Sequence, residues 1–345
     1  MKWQLLPAAD FAHAAPRWAA LHAAGPAAPM LAPAFVGALL DVFGSGAELL
    51  ALCEHDGRTS AAAVLAPAGP GRWATFQPPQ APLGLWLQDP DLDTDALLAR
   101  LAPALPGPAL LIGLTQCDPL LLPRRVDHGH RRSLDYIATA RIEVAGSFEA
   151  YWNTRGKNLR NNLKKQRKRL ADENIAPRLE ILDRPGDMAD AVADYGRLEG
   201  AGWKARGGSA VLAGNDQGRF YRHMLEACAA QGQARVYRYW FGDKLAAMDL
   251  CILERDCIVI LKTAYDEAVA GSYSAALLMR EEACRGLFDE GRFARIEFYG
   301  RVMEWHTRWT DAVRTLYHLN HYRWPALARL HALLQATRNG ASHVP

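Results

Sequence analysis

Paired cysteines, nucleotide-binding glycine fingerprints and long apolar runs are all missing from this 345-residue chain. Its six cysteines, at 53, 117, 228, 251, 257 and 284, form no CxxC pair and no Cys/His cluster at zinc spacing. They read as reduced packing residues of a cytosolic protein with no metal. His128/His130 and His318/His321 lack a third ligand at metal spacing and read as surface or packing histidines. No stretch reaches the roughly 18 apolar residues that a membrane helix needs. Asp10, His13 and Arg17 break the apolar N-terminus where a signal peptide would have its core. The expectation is a soluble, cytoplasmic protein without membrane insertion. Neither a GKS/GKT P-loop nor a GxGxxG turn is present, which excludes those two routes to nucleotide binding.

What the chain does have is unevenly spread. Net charge is only +3, yet residues 1–100 carry five basic and nine acidic side chains, and residues 124–170 carry thirteen and four. Sixteen of the twenty prolines precede residue 124. At this length two domains, or a duplicated one, are expected. The polar stretch PRRVDHGHRRS marks the change of composition, so the division is drawn between 1–133 and 134–345.

Both halves alternate helical and strand-like spacing. In the first, FAHAAPRWAALHAA and APAFVGALLDVFG have helical apolar periods, and AELLALCEHDGRTSAAAVLAP reads as two strands joined at Asp56-Gly57. WATFQ and ALLIGL read as strands, and TDALLARLA as a helix capped by Thr94 or Asp95. In the second, TARIEV is a strand. Phe148, Trp152, Leu159, Leu163 and Leu170 then recur at spacings of 4, 7, 4 and 7, one stripe of a helix. A strand, APRLEIL, and two helices lead to three successive strands, ARVYRYWF, LAAMDLCIL and CIVILKTAYD. The loop EAVAGSYS enters the helix AALLMREEACRGLFDEG, and the strand ARIEFYG follows. This order predicts an α/β (α+β) fold with mixed sheets rather than a doubly wound one.

Two stretches carry chemistry. RGKNLRNNLKKQRKRLADEN holds eight Lys or Arg before its first acid. Such a run suits a phosphorylated substrate, a nucleic acid or an acidic surface, and it equally suits a solvated helix face. AGSYSAA lies between a strand and a helix. Ser274 is placed as an N-cap, and the free N–H groups of the helix start can bind phosphate. By itself a Gly-Ser turn before a helix is more often only a cap.

KTAYDEAVAGSYSAALLMREE resembles the stretch K-x-AYDE-x-x-x-x-YSPG-x-LL of the GNAT acyltransferase superfamily, in its FemAB-like branch. That branch is the cellulose-biosynthesis CelD-like family with a BioF2-like acetyltransferase domain. RGKNLRNNLKKQRKRL is similar to its basic R-K-N-L-R-R segment, RLEGAGWKARGGSAV to L-E-x-x-x-WKGRxGTA, and RWTDAVRTLYHL to R-W-x-x-E-V-R-P-L-Y. The resemblance covers residues 11–325 and is weakest in the first domain. It implies two tandem GNAT-like domains, the first degenerate and the second carrying an acyl-CoA site and a C-terminal helix. The co-substrate would be acetyl-CoA or another acyl-CoA, with no metal. CIVILKTAY becomes the edge strand for the pantetheine, with Lys262 and Tyr265 as cofactor contacts, and Gly271, Ser272, Tyr273, Ser274, Ala275 and Ala276 become the phosphate loop. Two departures stand out. Ala275-Ala276 replaces the family's Pro-Gly, and Trp305-His306 stands where the family commonly has Tyr-Lys.

The implied reaction is N-acyl transfer, with acetyl as the implied acyl group, to a polar, sugar-derived or envelope-precursor acceptor. It needs a neutral amine, a polarised thioester and a proton for the leaving thiolate. Glu297 is the candidate base, Tyr299 the candidate acid, and Asp249 a further acid-base candidate near the sheet centre. Arg155, Lys157 and Arg160 at the start of the basic helix, with Trp203 and Lys204, are the candidate acceptor contacts. The alternatives are a Fem-type transferase using aminoacyl-tRNA and a catalytically silent binding or scaffold protein.

Overall fold

The computed structural model describes residues 1–200, 211–212, 214–270 and 273–341. The chain groups into two units, Met1–Pro26 with Leu31–Ile137 and the segment from Thr315 onward, and Ala27–Met30 with Ala138–Arg314. The C-terminal segment therefore groups with the first unit, unlike in the linear division at residue 133.

The first unit runs β1 (Lys2–Pro7), α1 (Phe11–Ala24), α2 (Pro33–Phe43), β2 (Leu49–His55), β3 (Arg58–Pro67), β4 (Arg72–Thr75), β5 (Trp86–Gln88), α3 (Thr94–Leu101), β6 (Leu111–Cys117) and the first part of β7 (Arg131–Glu143). Asp56 and Gly57 both take positive φ, 50° and 76°, the two-residue turn that the hairpin sequence calls for. Strand order is β1-β2-β3-β4-β6, and the returning strand Val313–Tyr322 pairs antiparallel with β6. Trp3, Leu97, Leu98, Leu101, Ile112, Leu114 and Leu319 close its core. The cap of α3 differs from expectation. Asp93 is the N-cap and accepts from Ala96 N–H at 2.9 Å. Thr94 donates instead to Gln88, and Asp95 is held by Arg131 and His128.

The second unit continues with α4 (Phe148–Thr154), α5 (Lys157–Asp172), β8 (Pro177–Leu182), α6 (Met188–Gly200), α7 (Asp216–Ala229), β9 (Ala234–Phe241), β10 (Lys244–Glu254), β11 (Cys257–Tyr265), α8 (Glu267–Ala270), α9 (Ala275–Asp289), β12 (Arg295–Glu297) and α10 (Glu304–Thr307). The last elements, β13 (Val313–Tyr322) from Thr315 on and α11 (Pro325–Ala341), group with the first unit. The expected single helix from Phe148 to Leu170 is two, because Gly156 takes an extended ψ of 135° and restarts the helix as N-cap of α5. Leu159, Leu163 and Leu170 are buried as the stripe predicts.

This unit's sheet has the order β7-β12-β11-β10-β9-β8, and β11–β12 is its one parallel pair among the described residues. Two irregularities in β11 shape everything that follows. Its pairing with β12 ends at Val259↔Glu297, so from Ile260 onward β10 is its only strand neighbour among the described residues. Opposite Leu250 and Cys251 the register slips, leaving Leu261 as an extra residue between Ile260 and Lys262. A bulge of this kind shifts the alternation by one. Ile258 and Ile260 pack towards α9 before it, and Thr263 and Tyr265 take that face after it.

Candidate active site

The loop before α9 is held from the side by α5. Gln166 donates to Ser274 Oγ at 3.1 Å and accepts from Ser274 N–H at 2.8 Å. Ser274 is the N-cap residue, but its hydroxyl makes no cap bond, being turned to Gln166. The N–H groups of Leu277 and Leu278 return to Ser274 O. Those of Ala275 and Ala276 precede any intrahelical acceptor and find no partner among the described residues. Tyr273 is anchored by Glu173, and the Arg169 guanidinium lies over its ring.

Between this helix start and the unpaired half of β11 lies a cleft of about 420 Å³. Thr263, Tyr265 and Asp266 form one wall, and Tyr273 to Leu277 with Arg280 form another. Trp305 and Trp309 close it. Beneath it sits a buried polar triad. Arg280 donates to Asp249 and to Thr263, both at 3.0 Å, and Thr263 donates to Asp249 at 2.5 Å. Arg280 is 2% exposed and Asp249 fully buried. Burial pushes the Asp249 carboxyl above its ordinary range, against the pull of Arg280 and Thr263. Phe298 and Trp305 flank the guanidinium. Next to it burial lowers the His306 imidazole to about 4, with the nearby Arg280 charge adding, and its Nδ1 accepts from Met303 N–H at 2.9 Å. His306 is therefore neutral at pH 7.

The structure gathers Tyr265, Tyr273, Ser274, Ala275 and Ala276 around this cleft, and places Asp249 behind Arg280 rather than on the cleft wall. Lys262 goes elsewhere. The bulge turns it to the opposite face, where its ammonium lies over the Tyr221 ring of α7. Glu297 also faces away from α9, since its neighbours Ile296 and Phe298 pack towards that helix. It is buried against Arg314 at 2.8 Å, with Arg295 at 3.7 Å, at the last paired register before β11 and β12 part. Tyr299 follows at a φ of 48°, with Arg314 over its ring. Gly271, Ser272, Trp203 and Lys204 lie outside the described residues.

On the basic helix, Lys157, Lys164, Lys165 and Lys168 are exposed. Arg155 is partly covered beside Tyr151 and Asp311, and Arg160 donates to the Arg155 carbonyl. Arg167, expected on a solvated face, instead pairs with Glu281 at 2.9 Å and Glu282 at 2.7 Å on α9. Sequence reasoning missed Thr263, Arg280, Trp305 and Trp309 as cleft residues and Gln166 as the anchor of Ser274. A signal for Arg280 existed. It occupies the apolar stripe Leu277, Arg280, Cys284, Leu287, while Asp249 is the lone charge within LAAMDLCIL, and opposite charges isolated in two buried elements must meet.

A larger groove of about 750 Å³ in the first unit holds charges that pair with one another, Arg17 with Glu54 and Arg58 with Asp89. Among the described residues no cluster of His, Cys, Asp and Glu could hold a metal ion, and no helix is long and apolar enough to cross a membrane.

Residues 157–307, from the start of α5 to the end of α10, match the model of the family described as Acetyltransferase (GNAT) domain. Among solved structures the chain is similar to FemX, with a TM-score of 0.58 at 10% identity over 96% of this chain and 99% of that one. It is also similar to the C-terminal domain of an Agrobacterium fabrum protein named as a candidate lysylphosphatidylglycerol synthetase (TM-score 0.56, 14% identity, 95% and 96% covered). A conserved protein of unknown function from Bacteroides thetaiotaomicron VPI-5482 gives 0.56 at 10% identity, with 93% and 99% covered. At these identities the likeness is one of fold. No curated protein matches the sequence.

Proposed function

We propose that this chain, whose residues 157–307 match the family described as Acetyltransferase (GNAT) domain, is a FemAB-like member of the GNAT acyltransferase superfamily and an acyl-CoA-dependent N-acyltransferase. Acetyl is the simplest acyl group, and the acceptor is a polar amine of sugar-derived or envelope-precursor type. One observation carries this reading: the cleft joins the open start of α9 to the unpaired half of β11. A helix start with free N–H groups suits a diphosphate, and an unpaired strand edge suits an extended arm with amide groups. Alanine at 276 keeps the N–H that such a phosphate needs.

The thioester supplies an already activated carbonyl, so the residues have mainly to orient it and move one proton. Tyr299 would give that proton to the leaving thiolate. Glu297, at the point where β11 and β12 part, would take the amine's proton directly or through water, with Arg314 tuning its charge. Lys262, Gly271 and Ser272 belong to the same proposed donor segment. Arg155, Lys157, Arg160, Trp203 and Lys204 would meet the acceptor, and the two units would be tandem GNAT-like domains.

A Fem-type transfer from aminoacyl-tRNA is the second reading. The fold shared with FemX and the exposed lysines of α5 favour it. Calorimetry with acetyl-CoA and longer thioesters, beside mass spectrometry of retained ligands, separates the readings. Heat with a thioester is expected. No heat from folded protein sinks the proposal, co-purifying tRNA then favouring the Fem-type reading and no ligand at all a scaffold.

A further inference from the structure

The cleft walls carry hydrogen-bond donors that no described residue uses. Arg280 Nε and Nη1 and Trp309 Nε1 are buried and without a partner among the described residues. Both residues line the cleft, at 2% and 0% exposure. Buried donors left unpaired are costly, and one cleft lined by two side chains that keep such donors suits an acceptor that arrives from outside. The cleft-lining side chains Arg280 and Trp309 present only donors, while the one acceptor beside them, Asp249 Oδ2, faces Arg280 in the ion pair, so the group that these two side chains take presents oxygen lone pairs.

The charge of that group can be narrowed. Arg280 is already neutralised by Asp249, whose carboxylate shares Nη2 at 3.0 Å. A phosphate or carboxylate bound at Nη1 would lie beside that carboxylate in a dry pocket, where like charges repel strongly. A neutral carbonyl oxygen takes the same hydrogen bonds without that penalty. The free charge-binding capacity lies elsewhere, at the N–H groups of Ala275 and Ala276, about 6 Å along α9 from Arg280.

We infer that Arg280 and Trp309 form a carbonyl-binding site that holds an amide or thioester oxygen of the ligand's uncharged arm, while the start of α9 takes its phosphates. This rests on the acyl-CoA reading and specifies which part of the ligand these side chains recognise. Asp249 and Thr263 act through Arg280 as positioning residues.

The test titrates acetyl-CoA, CoA and the nucleotide half of CoA (3′-phospho-ADP) into wild type, Arg280→Lys and Trp309→Phe. Lysine keeps the ion pair with Asp249, and phenylalanine keeps the ring packing. Each variant should weaken acetyl-CoA by about 10-fold and leave the nucleotide within about 2-fold. Equal losses for CoA and acetyl-CoA assign the oxygen to an amide, and a loss confined to acetyl-CoA assigns it to the thioester. Unchanged affinities, or equal losses for the nucleotide, overturn the inference while leaving acyl-CoA binding intact. Absence of any acetyl-CoA binding to wild type removes the proposed function itself.

Discussion

Replacing Ala276 with proline tests the start of α9 most directly. Ala276 is the second residue of the helix, so its N–H has no intrahelical acceptor and its loss breaks nothing inside the helix. What it removes is one of two open donors facing the cleft. A hydrogen bond to a charged group contributes about 1.5–3 kcal/mol, so acetyl-CoA affinity should fall by about 10- to 100-fold. Proline also disfavours helical geometry at Ala275, and a thermal melt separates that cost from lost binding. Ala275→Pro removes the other open donor at less backbone cost, since proline is favoured at the first helical position and Ser274 before it is already non-helical, at φ −89° and ψ 69°. Calorimetry should therefore show a comparable loss for Ala275→Pro with a melt close to wild type. Either variant binding within about 2-fold of wild type would refute phosphate binding at this helix start.

Tyr299→Phe should lower kcat by at least about 10-fold while acyl-CoA affinity stays nearly unchanged, the pattern of a group used in the transition state; full turnover would make Tyr299 a strand-end aromatic. Arg160→Glu should raise KM for an anionic substrate and flatten its salt dependence, while Lys168→Glu, exposed, should do little. Equal effects from those two would leave the basic run a solvated face. His306 has a folded pKa of about 4, below the ordinary 6.5. The unfolded chain therefore binds the extra proton first, and stability falls as pH drops from 6.5 towards 4, by on the order of 3 kcal/mol. His306→Asn, which keeps an acceptor for Met303 N–H, should flatten that slope in denaturant titrations, and an unchanged slope would assign it to other groups.

Elements with a strong local signal were legible from sequence. The Asp56-Gly57 hairpin, the Leu159/Leu163/Leu170 stripe and the strand-loop-helix around Ser274 all depend on neighbours within one or two turns. What escaped depends on pairing between distant segments. The slip at Leu261 exists only because β10 and β11 are paired, and in CIVILKTAY simple alternation puts Lys262 with Ile258 and Ile260. The cap of α3 went to Asp93 because Thr94 and Asp95 were claimed by Gln88, Arg131 and His128, partners that sequence spacing does not reveal. Trp305 reaches the cleft from the four-residue helix α10 and Trp309 from the turn after it, both too short to show a period in the sequence.

The extra residue in β11 also separates two properties that a strand usually ties together. Losing the single codon for Leu261 would place Lys262 directly after Ile260 and leave the pairs Leu250–Lys262 and Asp249–Thr263 as they are. The strand would regain plain alternation, with Thr263 still on the pocket side and Lys262 still on the other. One in-frame deletion would thus remove the bulge without changing which side chains line the pocket. Relatives with a β11 shorter by one residue are therefore expected to keep the same lining.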